Sequence, residues 1–300
     1  MTIGRTEALM ADPHLTNVVL TTFNRIGHTR AAIESIRTLT RGPFLLTVVD
    51  NASTDGTREY LKAELAAGRI DTLFLLERNM GVACACNLGL AAHAAPFFVK
   101  FDNDVRALRP DWLERLVTVA GRNAIVGALA YDVYGHGPPT ARLPDGEPVR
   151  IAGFCGGSCM VVRRDVLQRL GFFCEDYGLY GEEDADFGVR LGLAGLASAY
   201  LPDADAVAHD AHAPGAHDHL KPRAARKRNI QQFQANVHFY ETGLRPLFVG
   251  RKYAPESRGE LWGFSLDRAY AAQARKWNRF KKLVDFANRE WVEDYIRGRR

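Results

Sequence analysis

The sequence predicts an α/β domain with a mostly parallel central sheet flanked by helices, followed by a helical C-terminal extension. Three observations carry that expectation. Short β-branched and apolar runs alternate with helical stretches at intervals of roughly 25–30 residues, the rhythm of βαβ units. The first strands end in polar residues, as strands do where an open α/β sheet receives a ligand. The fourth apolar run, residues 95–101, leads into Asp102-Asn103-Asp104, two carboxylates two residues apart and so on one side of an extended chain.

Taken in order, residues 1–15 read as a lead-in and 16–220 as the main domain, divided into 16–105 and 106–220. Asn17–Phe23 is apolar and β-branched, a buried first strand. The polar turn Asn24–Thr29 follows, with Thr29 placed to cap a helix over Arg30–Leu39. Pro43–Asp50 reads as the second strand, Asn51–Gly56 as a turn, and Thr57–Ala67 as a helix. A third strand over Ile70–Leu76 runs into Arg78-Asn79-Met80-Gly81, and residues 82–94 form an Ala-rich helix. A right-handed crossover is expected for each unit. The stretch Tyr131–Arg150, rich in Gly and Pro, fits no motif and is expected near an acceptor.

Composition narrows the class. The 300 residues are 47% hydrophobic and 25% charged, which suits a globular domain and excludes a disordered one. No apolar run reaches the roughly 18–20 residues that span a bilayer, and the N-terminus lacks a signal pattern, so a cytoplasmic protein is expected. Five cysteines, Cys84, Cys86, Cys155, Cys159 and Cys174, form no CxxC pair and read as buried small residues rather than a disulfide or zinc framework. Charge is asymmetric: residues 221–300 hold 19 Lys/Arg against 8 Asp/Glu, a net of +11, and the remaining 20 and 27 leave −7 for residues 1–220. Such a tail can attract an anionic lipid surface, nucleic acid or the acidic body itself.

The strand ends suggest nucleotide chemistry. Asp50 can accept from a base N–H, Asn51 and Ser53 can reach ribose or base, and Arg78 can meet a phosphate. Asp102 and Asp104 suit Mg²⁺ or Mn²⁺ shared with a diphosphate. Neither a G-x-G-x-x-G turn nor a G-x-x-x-x-G-K-[ST] loop follows the first strand, which demotes the usual dinucleotide and P-loop folds. A nucleotidyltransferase would need a Gly-rich basic loop there, and Phe23–Gly27 does not supply one.

The segments Val18–Arg25 (VVLTTFNR), Val48–Thr57 (VVDNASTDGT), Asn79–Gly89 (NMGVACACNLG) and Phe101–Val105 (FDNDV) resemble, in order, the motifs of family-2 glycosyltransferases with the GT-A fold. Gly156–Leu167 (GGSCMVVRRDVL), Gly171–Tyr180 and Glu182–Leu191 (EEDADFGVRL) resemble that family's second half, so the likeness spans about residues 16–212. It implies an inverting transferase that moves a sugar from a UDP- or dTDP-linked donor to a saccharide, lipid-linked saccharide or other hydroxyl. Thr22, Asn24, Arg25, Asp50, Asn51, Ser53, Asp55, Arg78, Asn79, Gly81, Asn87, Asp102 and Asn103 would then hold the donor, with Gly156 and Gly157 on the acceptor side. Asp104 and His209 would hold the metal, with Asp102 and His212 as alternative ligands. Asp184 would be the catalytic base, Glu183 the second choice, its pKa raised by crowding among Glu182, Glu183 and Asp186. The chain departs from the family at Cys86, where relatives often carry a phosphate-binding Arg, and at Phe173-Cys174-Glu175-Asp176, where relatives often read Gly-Phe-Asp-Glu.

In the tail, Pro222–Thr242 carries Ile230, Phe233, Val237 and Tyr240 at helical spacing. Residues 243–255 read as a linker, and 256–300 as aromatic, basic helix. That face suits packing or self-association, or an interfacial helix at the inner face of a membrane. A nucleic-acid partner through Lys221–Arg228 is the alternative to an enzyme, disfavoured by the acidic body.

Overall fold

The computed structural model describes residues 12–210, 223–275 and 277. The first half alternates strand and helix: β1 Thr16–Thr22, α1 Ile26–Leu39, β2 Phe44–Asp50, α2 Thr57–Ala66, β3 Thr72–Leu76, α3 Val82–Leu90 and β4 Phe97–Asp102. The second half adds β5 Val105–Ala107, α4 Trp112–Arg122, β6 Val126–Tyr131, β7 Ala141–Arg142, β8 Pro148–Ala152, β9 Cys159–Arg163, α5 Arg164–Leu170, α6 Glu183–Leu193, β10 Ala197–Leu201 and β11 Val207–His209. After them come α7 Arg223–Glu241 and the hairpin β12 Tyr253–Arg258 and β13 Leu261–Leu266.

One large sheet runs in the order β12-β13-β3-β2-β1-β4-β9-β6-β10-β8-β7. Its nucleotide side, β3-β2-β1-β4, is parallel, with Thr22 opposite Asp50 and Thr21 opposite Asp102. The chain steps outward from β1 to β3 and then returns to the other side of β1 as β4. Helices therefore leave opposite faces, and a crevice opens at the carboxyl ends of β1 and β4, the switch point where open α/β sheets bind ligands. Strand β9 runs antiparallel between β4 and β6. A separate two-stranded ladder pairs Val105 of β5 with His209 of β11.

Both faces of the sheet are covered. Ile33 and Ile36 of α1 and Trp112, Leu113 and Leu116 of α4 pack with Val18, Leu20, Val99 and Phe101 on one face. Ala83, Cys86 and Leu90 of α3, Val166 and Leu170 of α5, and Phe187 and Leu191 of α6 pack with Val19, Phe98 and Met160 on the other. Burying both faces is what allows near-continuous apolar strands such as VVL and FLLTVV. All five cysteines are free and buried, as expected. No helix among the described residues is long and apolar enough to cross a membrane.

Two local expectations are corrected. Helix α1 begins at Ile26 rather than Arg30, and Thr29 lies inside it, fully buried, with its hydroxyl 2.7 Å from that of Thr22. The cap comes from Asp55, 29 residues away, whose Oδ2 accepts from the Ile26 N–H at 3.0 Å. The extension is not wholly helical: residues 253–266, read as the end of a linker and the start of a helix, form a hairpin. Its strand β13 joins β3 in parallel, and Trp262 packs edge-on against Phe74 with ring centroids 5.1 Å apart. The two-residue turn Gly259-Glu260, with Gly259 at φ 66°, is the overlooked hairpin signal.

Several cations of the basic tail pair with the acidic body. Asp176 takes Arg245 at 3.0 Å and Lys252 at 3.2 Å, and the buried Glu175 accepts from the Lys252 and Tyr253 N–H groups at 2.9 and 3.0 Å. The departure at residues 173–176 is thus the anchor of the extension. The far aromatic stretch, with Trp291 and Tyr295, lies outside the described residues, as do His212, His217, His219 and Lys221.

Candidate active site

A solvent-open cleft lies over the ends of β1 and β4. It brings together Thr22, Arg25, Asn51, Asn79, Asp102, Asn103, Asp104, Gly157, Glu183, Asp184 and His209 of the expected set. The helices that border it, α1 and α6, are each entered through left-handed backbone: Asn24 and Arg25 have φ of 55° and 62°, and Glu182 has 70°. Non-glycine residues held there are strained, and such strain concentrates at functional sites.

One end of the cleft is built on the end of β4. Asn103 is nearly buried, and its amide donates to the Thr22 and Thr29 hydroxyls at 3.1 and 3.2 Å, tying the acidic segment to the turn after β1. Asp104 then receives Arg25 Nη1 on Oδ2 at 3.0 Å, while His209 Nε2 stands 3.5 Å from Oδ1. Burial pushes the Asp104 carboxyl up, but the hydrogen bonds and charges of His209 and Arg25 outweigh it and hold it well below the usual carboxylate range. The antiparallel β5–β11 ladder is what delivers His209, 105 residues further along the chain. The Asp102 carboxyl is raised by burial and by Asp104, against the opposing charge of Lys100.

The opposite end of the cleft is the start of α6. Asp184 Oδ2 accepts from the Gly157 N–H at 3.2 Å and Oδ1 from the Ala185 N–H at 2.8 Å, so its carboxylate is fixed in the cleft wall. The upward push expected from crowding falls most clearly on Glu183: burial first, and then the charge of Asp184, raise it to about 7. Glu182 is also raised, by burial and Asp184.

Other expected donor contacts are placed outside the cleft. Asp50 is fully buried and taken up by Arg58 Nε at 2.9 Å and the Ser53 N–H at 3.2 Å. Ser53 Oγ accepts from the Asn24 N–H at 2.7 Å, and Asn24 Oδ1 from the Thr54 N–H at 2.8 Å, which locks the turns after β1 and β2 together. Asp55 caps α1. Asn87 is fully buried and spends its amide on the Phe173 carbonyl and Glu175 at 2.9 and 2.8 Å. Arg78 is exposed beside the cleft. Gly81 serves a close approach: a Cβ there would stand 2.1 Å from the Gly178 carbonyl oxygen. The Gly156 N–H donates to the Tyr200 hydroxyl at 2.6 Å. In this structure most of these polar groups are met by neighbouring protein groups, because turn-forming Asn, Asp and Ser satisfy neighbouring backbone as readily as a ligand.

Sequence reading missed Lys100, Tyr134 and Tyr180 in the cleft wall. Tyr134 comes from the unassigned stretch 131–150 and packs edge-on to His209 with centroids 5.4 Å apart, so this stretch does reach the site. Lys100 carried a visible signal, a charge inside an otherwise apolar strand. Cys86, where relatives often carry Arg, is fully buried on α3, close enough to Lys100 for its thiol to feel that charge.

Among the described residues no three His, Cys, Asp or Glu side chains form a cage for a metal. That does not disqualify the site for Mg²⁺ or Mn²⁺, which are commonly held by one or two protein ligands and completed by substrate phosphate and water. Asp104 and His209 are close enough to serve one ion, so their donor set fits.

A doubly covered α/β sheet, with an Asp-x-Asp segment at its switch point and an acidic helix start across the cleft, is the arrangement of a GT-A-type transferase fold. The chain belongs to glycosyl transferase family 2, whose sequence model matches residues 17–171, and it is accordingly a glycosyltransferase. The N-acetylglucosaminyl-diphospho-decaprenol L-rhamnosyltransferase of Mycobacterium tuberculosis is 30% identical over 270 residues, 74% of this chain and 84% of that protein. Among solved structures, the mannosyltransferase PcManGT from Pyrobaculum calidifontis in complex with GDP-Man and Mn²⁺ has a TM-score of 0.56 at 20% identity, over 78% of this chain and 70% of that one. GalNAc-T7 with UDP, GalNAc and Mn²⁺ has a TM-score of 0.58 at 12% identity, over 76% and 49%. At those identities the structural likeness speaks for the fold. The family decides between the two enzyme classes considered, against a nucleotidyltransferase.

Proposed function

We propose that this glycosyltransferase moves a sugar from a UDP- or dTDP-linked donor to an acceptor hydroxyl by a single, inverting displacement. The observation that carries the reading is one cleft lined at its donor end by Asp102, Asp104 and His209 and at its acceptor end by Asp184. Asp184, held by two backbone N–H groups, takes the proton of the attacking hydroxyl, which is a poor nucleophile until a base is in reach. Asn51, Asn79 and Thr22 face the nucleoside. Arg25 faces the diphosphate: its Nη2 is buried and has no hydrogen-bond partner among the described residues, a donor left for an incoming oxygen. Asp104 and His209, with Asp102 beside them, would hold Mn²⁺ or Mg²⁺, which supplies Lewis-acid neutralisation of the leaving diphosphate. Tyr134 faces the acceptor side. The relative from Mycobacterium tuberculosis is named for a lipid-diphosphate acceptor, which makes a lipid-linked saccharide the first acceptor class to try.

The test is thermal stability against nucleoside diphosphates with and without Mn²⁺. A ligand that binds only the folded state raises the melting temperature, by about 2.7 kcal/mol of stability at a hundredfold excess over Kd. The expected result is a rise with a uridine or thymidine diphosphate that needs the metal. A panel in which no nucleotide shifts the transition overturns the reading.

A further inference from the structure

Strand β4 alternates, and Lys100 shares the face of Phe98 and Asp102. It is only 4% exposed, at the edge of the apolar cluster that holds Phe98, Cys86 and Met160. An ammonium in such a place is costly unless its hydrogen bonds are met, and its partners are informative. Nζ donates to Asp102 Oδ1 at 2.6 Å and to the Gly157 carbonyl at 2.6 Å. Gly157 in turn donates its N–H to Asp184 Oδ2 at 3.2 Å. A continuous path thus runs from the acidic segment at the donor end, through Lys100 and one glycine, to the carboxylate at the acceptor end. The glycine is matched to the lysine: a Cβ on Gly157 would stand 2.9 Å from Nζ, 3.1 Å from Cε and 3.3 Å from Cδ of Lys100. The turn is also hung on β4 by its backbone, since the Asp102 N–H donates to the Ser158 carbonyl at 2.9 Å.

We propose that Lys100 is a positioning residue that clamps Asp102 and, through Gly157, sets the carboxylate of Asp184, so that the two ends of the cleft keep a fixed relation. It is also the cation among Asp102, Glu183 and Asp184, and its removal leaves those acids facing one another. The proposal rests on the assignment of Asp184 as the base.

The experiment uses the full chain and two independent readouts. In backbone amide NMR spectra, the Gly157 resonance moves in Lys100→Met and in Asp184→Asn, while amides remote from the cleft stay in place. In transfer assays with the donor found by thermal shift, Lys100→Met lowers kcat by about tenfold or more while donor KM changes by less than about threefold, and Lys100→Arg recovers most of the loss. Gly157→Ala lowers kcat in the wild-type background but by less than about twofold in a Lys100→Ala background, the non-additivity of residues that act through one contact. If Lys100→Met does not fold, Lys100→Arg and Gly157→Ala carry the same reading. A wild-type kcat in Lys100→Met, an unmoved Gly157 amide, or penalties of Lys100→Ala and Gly157→Ala that simply multiply would each overturn the clamp. If no nucleotide binds the wild-type protein, the donor reading fails, and the Gly157 amide still decides whether Lys100 and Asp184 are joined.

Discussion

Asp186–Arg190 and Asp102–Lys100 are acid–cation pairs of this fold that differ in how completely their hydrogen bonds are used. Asp186 and Arg190 sit one turn apart on α6, both fully buried. The Asp186 carboxylate receives Arg190 Nε at 2.8 Å, the Tyr177 hydroxyl at 2.7 Å, the Tyr240 hydroxyl at 3.1 Å and the Asn236 amide at 3.3 Å. Arg190 spends its remaining donors on the carbonyls of Leu170 and Phe172, both at 2.7 Å. This network ties α7 to α6. Asp102 and Lys100 form the other pair, and there the carboxylate is about a third exposed and borders the cleft, with Lys100 as its side-chain partner. A saturated buried network serves architecture, and one left open toward solvent is available for a ligand.

That contrast can be tested from either side. The largest effect is expected at the open end: Asp184→Asn should cut transfer by about 10²–10⁴-fold, the worth of a positioned general base. Its melting temperature and its nucleotide-induced shift should stay near wild type. Transfer at the wild-type rate would remove Asp184 from the reaction.

At the saturated end, Arg190→Met leaves Asp186 buried without its cation and should cost about 3–5 kcal/mol in denaturant unfolding, whatever happens to catalysis. A loss below about 1 kcal/mol, the range of exposed pairs, would mean that the network tolerates an unpaired charge and that the contrast is false.

Glu183 gives a smaller, pH-dependent effect. Its folded pKa, near 7, lies above the ordinary 4.5, so the folded protein keeps a proton that the unfolded chain releases. That contribution to stability is complete below about pH 4.5 and is lost as the pH rises through about 7. Relative to Glu183→Gln, the wild type should lose on the order of 1–3 kcal/mol across this window, measured as unfolding free energy at several pH values. Parallel curves for the two proteins would show that Glu183 is not raised.

The smallest effect belongs to a pair whose acid is exposed, neither saturated core nor open site. Arg163 already donates to the carbonyls of Ala120, Asn123, Ala124 and Val126, and Asp165 is two-thirds exposed. Asp165→Asn should change stability by less than about 1 kcal/mol. A larger loss would show that surface pairing matters more on this fold than burial suggests.

Much of the nucleotide half was legible in the sequence, and the reason is range. The runs VVL, FLLTVV and FFV, the turn residues after them and the Asp-Asn-Asp segment act within a few positions of themselves, so periodicity and turn chemistry locate β1, β2, β4 and the acidic end of the cleft. The ligand-facing role of each turn residue was less legible. Asp50 and Asn87 look like donor contacts in a motif, yet Arg58 and Glu175 claim them in the folded chain. The hairpin was missed because β12 and β13 are only half-buried and carry weak alternation. Their strand character comes from docking on β3.

The sequence by itself determined the order of strands and helices in the nucleotide half, the family, and the acidic residues of the cleft, because these follow from local pattern and ordered motifs. Only the tertiary structure decided that Asp55 caps α1 from 29 residues away, that His209 reaches Asp104 across 105 residues, and that Lys100 and Gly157 join the two ends of the site. Those pairings exist because a sheet brings distant strand ends side by side, and a buried donor or acceptor must then find whichever partner that packing leaves within reach.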